Sequence, residues 1–160
     1  VQGDGQRLPF RSGGARVVHC SNVLEHVADW PELCEELIRV LEPKRGVGYL
    51  SFTPWLSPWG GHETSPWHYL GGRRAAQRYR RRHGVDPKNE YGVSLHSVRA
   101  GDVIDWFRAR SDLEVYEVRP RYLPDWLSWI ARVPLLREFA SWNVVIVFRR
   151  RAVKTERATS

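Results

Sequence analysis

Apolar runs and polar breaks alternate along the first third of the chain and predict three elements in a row. Arg16–Cys20 (RVVHC) is a run of mostly β-branched residues behind a Gly13-Gly14 turn, which predicts a short buried strand of the parallel type. Asp29 is placed to cap a helix, Glu32 follows three residues later as in a capping box, and Leu33, Leu37, Val40 and Leu41 share one apolar face. Pro43 and Gly46 stop that helix. Val47–Thr53 (VGYLSFT) has strand composition and Pro54 ends it. Strand, helix and strand in direct succession make a βαβ unit, with parallel strands and a right-handed crossover. Ligands of such sheets bind beyond the carboxyl ends of the strands. The polar break after the first strand, in HCSNVLEHV (His19–Val27), falls at that end.

The pattern is less regular afterwards. Residues 54–72 (PWLSPWGGHETSPWHYLGG) are too rich in Pro, Gly and Trp for regular structure, and their Trp content argues for an ordered, functional loop. Arg73–Arg82 (RRAAQRYRRR) has helix propensity and carries six arginines. Ser97–Arg110 predicts a further helix with Ser97 as its cap and Val98, Ile104, Trp106 and Phe107 as apolar positions. Leu113–Val118 alternates like a half-buried strand, and Trp142–Phe148 (WNVVIVF) is strongly apolar. Between them PDWLSWIARVPLLREFA predicts two short amphipathic helices split at Pro134. The expected organisation is one partial domain over 1–150, with a substrate-side insertion at 54–96, and a disordered basic tail at 151–160.

Composition fits one globular domain: 160 residues, 42 % hydrophobic and 27 % charged. The chain has no methionine, and is expected to be a fragment or a processed form. No signal-peptide pattern and no run of roughly 18 apolar residues stands in it, so a cytoplasmic location is the expectation. Cys20 and Cys34 have no CxxC spacing and are expected as buried thiols in a reducing compartment. Net charge is +7, and only Lys44, Lys88 and Lys154 of the 25 basic residues are lysine. So many guanidinium groups suit phosphate contact, although a GC-rich genome produces the same bias.

GDGQRLPF followed by RVVHCSNVLEHVADWPELCEELIRVLEPKRGVGYLSFTP resembles the second half of a class I S-adenosylmethionine-dependent methyltransferase, of the methyltransferase type 11 kind. That family shows an acidic GDAxxLPF turn, a strand ending in a CxxVLEHV-like segment, a helix ending RVLxPGG, and a strand. The resemblance covers residues 3–53. It implies an α/β, Rossmann-like fold, amino-terminally truncated, with a mostly parallel sheet, helices and an inserted Trp/Arg-rich segment. It also implies the cofactor S-adenosylmethionine. Asp4 would accept from the adenine amino group, the backbone amides of Gly5 and Gln6 would meet the ring edge, and Leu8 would pack near it. Ser21 and Asn22 would line the methionine end. The residues alone allow the same assignment for Asp4, since a carboxylate between two glycines on a turn accepts from an amine, as an ordinary turn aspartate also would. The family's GxGxG loop and its ribose-binding acidic residue have no counterpart here, so cofactor binding by these 160 residues is expected to be weak or absent.

Some quinone O-methyltransferases similar to this segment hold a divalent metal with a Glu at the place of Asn22 and with the residues matching Glu25 and His26. Asn22 removes one anionic ligand, so no metal is expected, and Glu25 with His26 is expected to be a helix-start pair satisfied by backbone amides and water. For acceptor chemistry His62, Glu63 and His68 (in HETSPWH) are the candidates, because methyl transfer to oxygen or nitrogen gains from a base that removes the acceptor's proton. The alternative is that they hydrogen-bond within a Trp-rich lid. Pro66 excludes a helical zinc motif. Trp55, Trp59, Trp67 and Tyr69 suit either an aromatic wall for the acceptor or the core of the loop. The segment Leu123–Phe139 has the composition of an interfacial helix or of a sheet-covering one.

The expected function is methyl transfer from S-adenosylmethionine to an oxygen or nitrogen of a small-molecule, glycan or lipid-linked acceptor, with peripheral membrane contact and no specific nucleic acid. The rival is a non-catalytic basic α/β domain that binds nucleic acid or anionic surfaces. Oligomeric state is not legible.

Overall fold

The computed structural model describes residues 3–151; most of the expected basic tail, 152–160, lies outside the described residues. Four strands form one mixed sheet in the order β1-β2-β4-β3: β1 (Val17–Ser21), β2 (Val47–Phe52), β3 (Leu113–Pro120) and β4 (Val144–Arg150). β1 and β2 pair in parallel, as the βαβ pattern predicts, with Ser21 opposite Ser51. β4 lies antiparallel between β2 and β3. The described sheet is therefore mixed where a mostly parallel one was expected, because β4 runs antiparallel to both of its neighbours, β2 and β3.

The helix between the first two strands, α1 (Trp30–Val40), starts as predicted. Asp29 caps it, accepting from the Glu32 amide at 3.2 Å, and Leu33, Leu37, Val40 and Leu41 are buried. It ends at Val40 rather than at Pro43, because Leu41 is already extended and Ala15 bridges to it. α3 (Ala100–Ala109; α2 is described below) contributes Val103, Ile104 and Phe107 to the core that α1 and the sheet residues Leu50, Phe52, Ile146 and Phe148 share. Gly48 of β2 faces Phe148 of β4 so closely that a Cβ there would meet the ring at 2.3 Å. Only glycine fits at that crossing.

Ser97 does not cap α3. Its first amides, of Ala100 and Gly101, donate instead to the buried Glu138 carboxylate at 3.0 and 2.7 Å, where an anion is favoured by the helix dipole. Glu138 comes from α4 (Pro134–Phe139), which follows a 3-10 helix at Asp125–Arg132, so the split at Pro134 is as predicted. β4 begins at Val144 rather than Trp142, since Trp142 takes a left-handed backbone (φ +50) that no strand accommodates. The loop after β2 holds two 3-10 turns, His62–Thr64 and Trp67–Leu70, and leads into α2 (Gly72–His83). In α2 only Gly72, Ala75 and Ala76 are buried, and its arginines are exposed except for their contacts with neighbours. Cys20 and Cys34 are free and buried, and burial beside Glu25 pushes the Cys20 thiol up to about 11.

Candidate functional site

The GDGQRLPF turn is held on α1 from several sides. Asp4 is exposed and its Oδ1 accepts from the Gln6 amide at 2.9 Å, an Asx turn that commits one of the two amides expected to face adenine. Gln6 Nε2 donates to Glu32 at 2.7 Å, and the Leu8 amide donates to Glu36 at 2.7 Å. Arg39 binds the carbonyls of Leu8 and Phe10 and pairs with Glu36, whose carboxyl it holds below its ordinary value. Gly5 lies against Leu33, where a Cβ would stand 3.1 Å from Cδ1, and Leu8 packs on the core. What the turn leaves outward is the Asp4 carboxylate, an acceptor suited to an exocyclic amine.

At the carboxyl end of β1 the polar residues meet partners from the far end of the chain. Ser21 Oγ lies 2.9 Å from Ser51 Oγ, and Arg121 Nη1 donates to both, at 2.8 and 3.2 Å. Asn22 has a left-handed backbone (φ +54), which asparagine tolerates, and its Oδ1 accepts from Asn143 Nδ2 at 2.8 Å. Ser51, Arg121 and Asn143 were not legible as site residues. The parallel register does align Ser51 with Ser21, but Arg121 and Asn143 carry no local signal.

Just beyond, the 3-10 turn Leu24–His26 places Glu25 and His26. Glu25 is 1 % exposed; its Oε1 accepts from the Thr53 amide at 3.2 Å and its Oε2 is buried without a partner. Burial pushes this carboxyl above its ordinary value, against the Thr53 amide and His26, which pull it down. His26 Nδ1 lies 2.6 Å from the Ser94 carbonyl, and its ring stands edge-on to that of His62 at 5.2 Å. His62 has a left-handed backbone (φ +48) and a buried Nε2 with no partner. Burial, helped by the His26 charge, holds its imidazole below the ordinary value.

The three candidates of HETSPWH therefore part company. His62 joins His26 and Glu25. Glu63 points to the surface and accepts from Asn89 at 2.9 Å. His68 is 1 % exposed, with Nε2 3.2 Å from the Ser57 carbonyl and its ring against Trp55 and Tyr69; Gly61 sits so close that a Cβ would meet the His68 ring at 2.5 Å. His68 and Trp55 are thus the core of the loop, while Trp59, Trp67 and Tyr69 are exposed, with Arg78 stacked over Trp67 at 3.8 Å.

Residues 1–50 match the model of the methyltransferase domain family. The chain is 49 % identical over 149 residues to an uncharacterized methyltransferase of Mycolicibacterium gilvum (strain PYR-GCK), covering 93 % of this chain and 57 % of that protein. It is 46 % identical over 151 residues to the uncharacterized methyltransferase ML2584 of Mycobacterium leprae (strain TN), covering 94 % and 55 %. The chain thus spans little more than half the length of the curated relatives it matches. In fold it is similar to an S-adenosylmethionine-dependent methyltransferase from Mesorhizobium loti, with TM-score 0.53, 18 % identity and coverage of 92 % of this chain and 67 % of that one. A second likeness, to one from Methanosarcina mazei, has TM-score 0.52 and 13 % identity over 95 % and 66 %. These comparisons do not favour the non-catalytic basic domain. A βαβ unit opening onto a polar rim, in a chain whose first 50 residues match the methyltransferase domain model, has the Rossmann-like fold of the class I S-adenosylmethionine-dependent methyltransferases it is similar to.

Proposed function

We propose that the full-length protein transfers a methyl group from S-adenosylmethionine to an oxygen or nitrogen of an acceptor that approaches over His62. The observation that carries this is the position of His62, buried at Nε2 and edge-on to His26 just past the polar rim of β1. The donor set suits the cofactor: an exposed carboxylate at Asp4, a side-chain-free backbone at Gly5, an apolar neighbour in Leu8, and hydroxyl and amide groups at Ser21 and Asn22. Bound there, S-adenosylmethionine supplies an electrophilic methyl on a sulfonium. The chain's own residues position the acceptor, exclude water, and take up its proton at a His62 nitrogen that burial keeps unprotonated. Glu63 and His68 do not share this role, because one is committed to Asn89 and the other to the loop core.

A lipid-linked acceptor suits the surroundings best. Trp126 and Leu135 are 74 % and 75 % exposed, Trp129 and Phe139 are exposed beside them in sequence, and Phe139 meets Tyr69 of the loop at 6.4 Å. Exposed aromatics of this kind, in a chain that also exposes the arginines of α2, match an anionic bilayer surface. No helix among the described residues is long and apolar enough to cross a membrane. Equilibrium binding of labelled S-adenosylmethionine to the full-length protein, with Asp4→Ala as comparison, tests the assignment. A loss of about tenfold is expected for one hydrogen bond to a charged acceptor. Absence of cofactor binding by the unmodified protein would overturn it.

A further inference from the structure

Three side chains from two distant segments converge next to Thr53: Glu25 and His26 from the turn after β1, and His62 from the loop after β2. Each can offer one ligand atom, and these atoms all lie within 4.8 Å of one another. The hydrogen bonds around them leave the inward atoms free. Thr53 occupies Glu25 Oε1 and leaves the buried Oε2 without a partner, the Ser94 carbonyl occupies His26 Nδ1 and so turns Nε2 into the available nitrogen, and His62 Nε2 is buried with nothing to bond. An unpartnered oxygen on a carboxylate only 1 % exposed is costly, and no hydrogen bond reaches it from either imidazole. A cation satisfies all three at once.

We propose that Glu25, His26 and His62 bind one divalent transition-metal cation of the zinc or cobalt class. Two imidazoles and one carboxylate select such an ion over magnesium or calcium, which take oxygen sets. Ligand atoms about 2.1 Å from a zinc ion stand roughly 3.4 Å apart, so separations of up to 4.8 Å close by at most about 1.4 Å on binding. The Ser94 carbonyl holding the far nitrogen of His26 is the outer support that metal-bound imidazoles have elsewhere. The arrangement is not the Glu, Glu, His set of the quinone enzymes: Asn22 is bonded to Asn143, and the third ligand is His62 from another loop, presented by a left-handed backbone that the surrounding packing must hold in place. Where the ion is bound, the His62 lone pair is committed to it and no longer takes up the acceptor's proton; with three protein ligands the ion keeps an open position that would ease that proton's loss by polarising an acceptor hydroxyl. That role rests on the methyl-transfer proposal; the site itself does not.

The test is titration of metal-free full-length protein with Co²⁺, followed by visible absorption, and with Zn²⁺, followed by calorimetry. One equivalent is expected to bind, with affinity reduced at least about tenfold in His62→Ala and His26→Ala and unchanged in His83→Ala, on the exposed end of α2. Circular dichroism checks the fold of each variant, and if Glu25→Gln fails to fold, the loop variant His62→Ala decides. No saturable binding by the unmodified protein, equal affinity in His62→Ala, or preference for Mg²⁺ overturns the proposal. Methyl transfer that persists in protein shown to bind no metal sinks the site and leaves the function standing. Stoichiometric metal with no methyl transfer does the reverse.

Discussion

Arg121 and Ser21 stand 100 residues apart in sequence, yet the guanidinium of one lies 2.8 Å from the hydroxyl of the other. The end of β1, where the cofactor's methionine end is proposed to lie, is thus positioned by the residue that follows β3. Arg121→Ala removes a charged donor from Ser21 and Ser51 together, and the expected result is a roughly tenfold weaker affinity for S-adenosylmethionine. The measurement is equilibrium binding with the full-length protein. An unchanged affinity would place Ser21 away from the cofactor.

Glu138 replaces a local cap on α3 with a carboxylate from 38 residues away. Glu138→Ala leaves two buried amides unpaired and is expected to cost about 2 kcal/mol of stability. Urea denaturation reads this as a lower midpoint at unchanged slope. Ser97→Ala, by contrast, is expected to leave the midpoint in place.

Burial holds His68 below its ordinary value, against the backbone groups of Ser57 and Trp55, which pull it up. The unfolded chain therefore binds a proton more readily than the folded one. The stability that neutral His68 preserves is complete above about pH 6.5 and is lost as pH falls through its lowered folded value. Melting temperatures recorded between about pH 7.5 and pH 5 are expected to fall more steeply for the unmodified protein than for His68→Phe. Parallel curves would show that His68 does not drive the acid loss.

Arg39 ties the Asp4 turn to α1 through the carbonyls of Leu8 and Phe10, the hydroxyl of Ser12 and its pair with Glu36. Arg39→Ala is expected to release residues 3–14 while leaving the core intact. Limited proteolysis followed by mass spectrometry checks this, with faster cleavage confined to that segment as the expected pattern.

Trp126 and Leu135 present large apolar side chains to solvent. If the acceptor is carried by a bilayer, vesicles rich in phosphatidylglycerol will sediment the protein and phosphatidylcholine vesicles will not. The double variant Trp126→Ser, Leu135→Ser is expected to weaken that partition at least about tenfold, since burying one such side chain is worth about 1.5–3 kcal/mol. Equal sedimentation by both vesicle types would remove the electrostatic half of the argument, and none by either would remove the bilayer.

What could be foreseen from sequence follows the range of the forces involved. β1, α1 and β2 were legible because their determinants are local: β-branched runs, the Asp29 cap and the spacing of Leu33 and Leu37. The family motifs likewise lie within residues 3–53, so Asp4, Ser21 and Asn22 stood out. Ser97 misled because a serine before a helix is a common cap, and the carboxylate that outcompetes it arrives from α4. The pairing of His26 with His62 depends on how a loop turns back at a left-handed residue, which periodicity does not encode. Arg121 and Asn143 join the rim only through the order of strands in the sheet.

That order also governs how the protein can be made. β4, the last of the described strands in chain order, lies between β2 and β3 and pairs with both. Until residues 144–150 have emerged, β2 and β3 have no shared neighbour, and each presents an unpaired edge through which nascent chains can associate. Synthesis that pauses or stops before Val144 therefore leaves a polypeptide with all the helices among the described residues and no strand to join β2 to β3, a species prone to associate through those edges.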